Sequence, residues 1–247
     1  MEIDEFVKMI KQSQKIVIFT GAGLSTASGL SDFKHAKGFF DKQNGELHFG
    51  PEILSLDCLK TNPRLFFDYF NERIVSSEAK PNFGHQFFKK LEEEFGKDIQ
   101  VITQNIDNLH TEMNYSEKVL ELHGNTRDWS TIKVRRPVLV DNIFYKEGLP
   151  YEKETQEPVR PDIVLYGESL NQRTYTKSEH VLFAADMLIV LGTELGVFPA
   201  ASLLHRFQGT RSVYINKTTT TESLSFRLFF EEDIVTVLEL VYEKMIK

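Results

Sequence analysis

One cysteine, Cys58, and one tryptophan are all that 247 residues contain of those types. A single thiol excludes an intrachain disulfide framework and a zinc ribbon built from several thiolates. Cys58 lies among Leu56, Asp57 and Leu59 on a helical stretch and reads as a buried, inert thiol. Positive charge is in deficit, with 29 Lys and Arg against 36 Asp and Glu and a formal net charge of −7. That balance gives no electrostatic footprint for nucleic acid or an anionic membrane, and the small cluster Lys133, Arg135, Arg136 reads as a solvated strand face. Long apolar runs are also missing. "MLIVLG" is far too short to span a bilayer, and the start, "MEIDEFVKMIKQSQ", carries early acids instead of the uninterrupted apolar stretch of a secretory signal. A cytoplasmic protein is expected. No His-Glu-x-x-His spacing marks a metal site, and Gly23-Leu24-Ser25-Thr26-Ala27 lacks the second glycine of a nucleophile elbow.

What is present is a rhythm. Apolar runs at Ile16 to Phe19, Ile99 to Ile102, Val119 to Leu122, Ile163 to Tyr166, Leu188 to Leu191 and Ser212 to Ile215 read as buried strands, several of them separated by helical patterns. That is the pattern of a parallel α/β sheet. Helices are expected at Ile3 to Lys11, after Pro63, at Gln86 to Phe95 and from Ile234 onward. Two segments interrupt the rhythm: a Phe-rich stretch after strand one, and Gly124 to Arg160, which shows no clear crossover helix. The reading is a Rossmann-like α/β domain formed by 1–33, 82–123 and 161–247, with a smaller inserted domain formed by 34–81 and 124–160. The crevice between them is the natural ligand site.

Chemistry-bearing residues gather at predicted strand ends. After Ile16 to Phe19, Gly21-Ala22-Gly23 lets the backbone turn tightly into a helix whose amides attract anions, which suggests a nucleotide pyrophosphate. A dinucleotide fingerprint would need a third glycine at Thr26, so this stretch is a weak match when taken alone. "VITQNIDNLH" ends a strand in Gln104, Asn105 and Asp107, and "LELHGN" ends another in His123. Read singly, Asn105 or Asp107 serves equally well as a helix cap, and His123 as a structural ring. Together they converge on one sheet edge.

In order along the chain, "GAGLSTASGLSDFK", "KPNFGHQFFKKLEE", "TQNIDNLH", "LELHGN", "RPDIVLYGESL", "LGTELGVFPAASL" and "YIN" resemble the sirtuins, NAD-dependent protein lysine deacylases. The resemblance implies that NAD is consumed as a co-substrate: the amide oxygen of an acylated lysine displaces nicotinamide, and a base then activates a ribose hydroxyl to attack the resulting O-alkylimidate. It implies His123 as that base, a role suited to a group titrating near neutrality. Asn105 and Gln104 would orient ribose and water, and Asp107 would hold the carboxamide. Gly21, Ala22, Gly23, Ser25, Asp32, Phe33 and Lys34 would form the NAD loop, with Gly192, Thr193 and Asn216 on the adenosine side. An acylated peptide would add as a strand against Val164, Tyr166, Gly167 and Glu168.

Against the family pattern, Lys34 stands for arginine, Ser31 for proline and Glu194 for serine. The absence of a Tyr-x-x-Arg pair after the glycine loop favours neutral acyl groups such as acetyl. The family's small domain usually holds zinc between two Cys-x-x-Cys pairs, and Gly124 to Arg160 contains no cysteine. Burial of Trp129, Ile132, Val134, Val138, Leu139, Val140, Ile143, Phe144, Leu149 and Tyr151, in short strands at Ile132 to Val134 and Val138 to Val140, is expected to replace the metal. The alternative on the same fold is an NAD glycohydrolase or ADP-ribosyltransferase, which needs the same pocket but neither the acyl-lysine tunnel nor the late base.

Overall fold

A computed structural model describes residues 1–30, 38–41, 45–75, 78–113, 116–219 and 225–247. The apolar runs form a six-stranded parallel sheet in the order Leu228–Glu231, Arg211–Asn216, Met187–Leu191, Lys15–Thr20, Asp98–Thr103, Val119–Glu121. Numbered along the chain, the strands lie 6-5-4-1-2-3, the doubly wound Rossmann order, which reverses direction between the first and fourth strands. Lys15–Thr20 and Met187–Leu191 therefore flank the crevice that such a sheet opens at its carboxyl edge. Both are buried along nearly their whole length because helices cover both faces.

One face packs Glu2–Lys11, Phe83–Glu93 and Ile234–Met245 against Ile16, Ile18, Val101, Ile189 and Val213. The first of these helices carries Glu2, Asp4 and Glu5 in its first turn and Lys8 and Lys11 in its last, matching the helix dipole. The other face packs Gln172–Ala184 and Ala200–Arg206 against Val17, Phe19, Leu188, Val190 and Tyr214.

A second core lies beside the sheet. Helices Leu56–Thr61 and Pro63–Tyr69, the latter running on into a wider turn at Phe70–Val75, bring Phe66, Phe70 and Trp129 together, with Phe70 edge-on to Trp129 at 6.0 Å. They pack on a three-stranded antiparallel sheet ordered Val159–Ile163, Gly124–Thr131, Pro137–Val138, near a hairpin of Ile143–Lys146 and Leu149–Glu152.

Several expectations need correction here. The run Ile163 to Tyr166 is not a strand of the parallel sheet: Ile163 ends an antiparallel strand, and Val164 onward continues as an extended segment along Leu54 and Leu56. Ile132 to Val134 is a turn, and Val140 begins a short 3-10 helix. Val134, Leu139 and Val140 are exposed, because the face they occupy has no covering element, whereas Trp129 and Val138 are buried. Lys133, Arg135 and Arg136 are exposed, but they lie in the turn beyond the strand, and Arg135 and Arg136 pair there with Asp162 and Glu152. Among the described residues, no helix is long and apolar enough to cross a membrane.

Candidate active site

The turns after the first and fourth strands cross backbone to backbone. The Gly21 amide donates to the Leu191 carbonyl at 2.9 Å, and the Gly23 amide to the Gly192 carbonyl at 2.8 Å. A Cβ on Gly23 would lie 2.7 Å from the Gly192 Cα, and one on Gly192, whose φ is +61°, would lie 2.4 Å from the Leu24 nitrogen. Glycine is required at this crossing because no side chain fits between the two chains. The result is a bare backbone cradle at the switch point, opening into a cleft of about 350 Å³ lined by Ala22, Gly23, Gln104, Asn105, His123, Gly192, Thr193 and Asn216.

The strand Asp98–Thr103 delivers the polar cluster. Thr20 Oγ1 donates to Thr103 Oγ1 at 2.8 Å, and Thr103 Oγ1 accepts the Asn105 amide at 3.0 Å, which fixes the bend where the strand ends. Asn105 Nδ2 then donates to the Gly21 carbonyl at 3.1 Å and to Ser25 Oγ at 3.0 Å, tying this bend to the glycine loop. Ser25 Oγ donates in turn to Asp107 Oδ2 at 2.6 Å, while Asp107 Oδ1 accepts the Leu109 amide at 3.0 Å. Asp107 therefore caps the following helical turn with one oxygen and faces the loop with the other. Burial pushes its carboxyl above the usual range, against the pull of the Ser25 hydroxyl and the Leu109 amide.

His123 follows the edge strand Val119–Glu121. Its Nδ1 lies 2.8 Å from the Gln104 carbonyl, an acceptor only, so Nδ1 carries the proton and Nε2 is the basic nitrogen. Gly124 then turns the chain at φ +71°, where a Cβ would sit 1.9 Å from the Asp162 carbonyl. Gln104 accepts a hydroxyl from Thr193 at 3.4 Å, but its own Nε2 is buried with no partner. A buried donor left unpaired at the floor of a polar cleft is suited to a ligand acceptor.

The cleft's other wall is the extended segment after Ile163. The Val164 amide donates to the His123 carbonyl at 2.8 Å, the Tyr166 amide to the Leu54 carbonyl at 2.9 Å, and the Leu56 amide to the Tyr166 carbonyl at 2.9 Å. Leu54, Ile106, Ile163 and Leu165 give this end an apolar lining. Glu168 also lines the cleft, but its carboxylate is turned onto Arg160, which holds it with Nη1 at 2.8 Å and Nη2 at 3.0 Å. Burial raises the Glu168 pKa, but Arg160 and the Leu165 amide outweigh it and hold the carboxyl below its usual range.

The structure thus gathers Gly21, Ala22, Gly23, Ser25, Gln104, Asn105, Asp107, His123, Gly192 and Thr193 around one cleft, with Asn216 at its far end and Val164 to Glu168 on the opposite wall. Asp32, Phe33 and Lys34 lie outside the described residues. Glu194 lines the cleft and is exposed. Four contributors are not evident from residue type alone. They are Thr20 and Thr103, which shape the bend; Tyr214, whose hydroxyl donates to the Thr193 carbonyl at 2.6 Å; and Arg160, which is 2% exposed. No local sequence signal marks the pairing of Arg160 with Glu168.

The Sir2 family profile matches residues 21–199. An "NAD-dependent protein deacetylase" of Staphylococcus epidermidis is 37% identical over 238 residues, covering 96% of each chain. A solved structure of Sir2 with a p53 peptide and NAD+ superposes with a TM-score of 0.83 at 31% identity, covering 99% of this chain and 98% of that one. Another, a Sir2 variant with deacetylated p53 peptide and 3'-O-acetyl ADP-ribose, gives a TM-score of 0.84 at 31% identity and the same coverage.

Proposed function

The chain belongs to the Sir2 family, and from that premise we propose that it is an NAD-dependent protein lysine deacylase that releases nicotinamide and an O-acyl-ADP-ribose. Its substrates are NAD and an acylated lysine in a protein or peptide, with neutral acyl groups such as acetyl preferred. The observation that carries the reading is that His123, in its Nδ1-protonated form, and Gln104 meet on the floor of a cleft bounded by the glycine crossing and by the segment Val164 to Glu168.

NAD supplies an electrophilic anomeric carbon and a leaving group, so the chain needs to bind, orient and move one proton. The pyrophosphate lies against the backbone at Ala22, Gly23 and Gly192, which line the cleft where the two turns cross. The unpaired Gln104 amide and the Asn105 side chain, itself anchored to the loop, orient the reacting ribose. Asp107 faces the carboxamide, Thr193 and Asn216 the adenosine half. His123 Nε2 takes the proton of a ribose hydroxyl, while the Gln104 carbonyl steadies the imidazolium through Nδ1. The apolar wall of Leu54, Ile106, Ile163 and Leu165 receives the acyl-lysine stem and keeps water from the reacting carbon. We assign the sheet-bearing segments 1–33, 82–123 and 161–247 to the NAD-binding domain, 34–81 and 124–160 to the smaller one, and the protein to the cytoplasm.

The test is to incubate the protein with NAD, with and without an acetyl-lysine peptide, and to identify products by mass spectrometry. Nicotinamide and O-acetyl-ADP-ribose should form only when both substrates are present. His123→Ala should cut deacylation by roughly 10²–10⁴-fold while sparing more of the nicotinamide exchange, because the base acts after the first bond breaks. NAD loss indifferent to the peptide would instead establish a glycohydrolase.

A further inference from the structure

Two turns in the small unit share one construction. In Thr131–Arg136 the first amide donates to the sixth carbonyl at 2.9 Å, the fifth amide donates back to the first carbonyl at 3.1 Å, and the fifth residue, Arg135, has φ +56°. In Glu152–Glu157 the same two bonds are 2.9 and 3.0 Å, and the fifth residue, Gln156, has φ +58°. The Ile132 amide also donates to the Pro158 carbonyl at 3.0 Å, so the turns lie side by side. A facing pair of such turns, with ligands at the first and fourth residue of each, suits a four-thiolate zinc site with Cys-x-x-Cys spacing.

The residues at those positions do not fit such an ion. They are Thr131, Val134, Glu152 and Thr155: two hydroxyls, one carboxylate and an apolar side chain. Cys58 is remote in sequence, in the helix Leu56–Thr61, and burial pushes its thiol up to about 11. Among the described residues, no three His, Cys, Asp or Glu are grouped to hold a metal. Val134, 70% exposed, adds no apolar contact at its position.

What joins them is an ion pair. Arg136 donates from Nη1 to Glu152 Oε1 at 2.9 Å and from Nη2 to Glu152 Oε2, and reaches Glu157 Oε2 at 3.3 Å. The Thr155 hydroxyl donates to Glu152 Oε2 at 2.5 Å, and the Arg136 amide donates to the Thr131 hydroxyl at 3.2 Å. The Glu152 side chain is 5% exposed, so its charge is withdrawn from water with its partners in place. We propose that the Arg136–Glu152 pair does in this chain what a structural metal ion does between two such turns, so that the small unit keeps its shape without zinc. The strand Gly124–Thr131 begins at His123 and the strand Val159–Ile163 ends at Val164, and the clasp closes the far end of both.

The experiment combines elemental analysis, thermal melts with and without a strong chelator, and a double-mutant cycle on Arg136→Ala and Glu152→Gln. The purified protein should carry no stoichiometric zinc, and its melting temperature should ignore the chelator. Each single variant should melt roughly 5 °C lower, with the double variant losing clearly less than the sum. If a single variant fails to fold, Thr155→Val, which removes one hydrogen bond from the carboxylate, supplies a milder member of the series. A quadruple variant, Thr131→Cys, Val134→Cys, Glu152→Cys and Thr155→Cys, should take up one zinc and become chelator-sensitive. One tightly bound zinc in the natural chain, additive losses in the cycle, or a folded quadruple variant that ignores zinc would each overturn the proposal. None of these measurements depends on the enzyme's activity.

Discussion

Arg160 shows how much one side chain can determine. It is almost wholly buried and is engaged by the Glu168 carboxylate, by the Ile163 carbonyl at 2.6 Å and by the Pro161 carbonyl at 3.3 Å. Glu168 Oε2 also accepts the Leu165 amide at 2.9 Å, so this ion pair sets the bend that shapes the peptide wall of the cleft. Removing one partner leaves a buried charge unmatched, which costs about 3–5 kcal/mol. Glu168→Gln, which keeps the shape, should therefore destabilise the fold within that range. It should raise the KM for an acetyl-lysine peptide roughly tenfold while leaving the KM for NAD nearly unchanged. A matched loss for both substrates in steady-state kinetics would mean that Glu168 supports the whole cleft. Gly21 and Gly23, together with Asn105 and His123, are legible because glycine before a helix and polar residues after an apolar strand carry local meaning, whereas Gly192 enters only through the family resemblance. Arg160 is not, because nothing local separates a buried arginine from a surface one.

At the scale of elements, the helix Phe83–Glu93 starts on a capping box in which the Asn82 side chain accepts the Gly84 amide at 2.8 Å and His85 Nδ1 accepts the Asn82 amide at 3.3 Å. His85 then packs 4.8 Å, ring to ring, from His110, which meets Thr20 Oγ1 at 3.0 Å. Burial lowers His85 to about 4; burial, then the nearby His85, holds His110 well below its usual value. Both are neutral in the folded chain and take up protons more readily when unfolded. Stability is therefore full above about pH 6.5 and falls as the pH drops toward 4. About 2 kcal/mol should be lost through His85 between pH 6.5 and 5, with His110 acting in the same direction; urea melts measure the loss, and His85→Gln should flatten the curve. The helices Glu2–Lys11, Phe83–Glu93 and Ile234–Met245 and five of the six sheet strands follow from apolar periodicity. Leu228–Glu231 does not, being only four residues long, and neither does Gln172–Ala184, which fully buries only Ser178 and Leu182. The run Ile163 to Tyr166 misleads because an apolar stretch does not reveal whether its partner runs parallel or antiparallel.

For the whole molecule, the cleft draws its walls from both cores: Gly23, Gln104 and Gly192 from the sheet's edge, Leu54, Ile163 and Leu165 from the smaller unit. A ligand bound there is coupled to folding as a whole. With NAD at 100 times its Kd, linkage contributes about 2.7 kcal/mol, so calorimetry should show the melting temperature rising by roughly 5–10 °C. An unchanged melt in saturating NAD would argue against the cleft as the NAD site.

The first strand lies in the middle of the sheet, with Ile16 paired to Met187 and to Ile99. During synthesis, a centrally placed N-terminal strand leaves the ribosome about 170 residues ahead of one of its two neighbours. At roughly 5–20 residues per second, Ile16 to Phe19 wait on the order of ten to thirty seconds with one edge open. Such distant pairing belongs to slow, high-contact-order folding, so the stretch that later frames the active site is also an aggregation hazard in the nascent chain and an apt place for a chaperone to hold it.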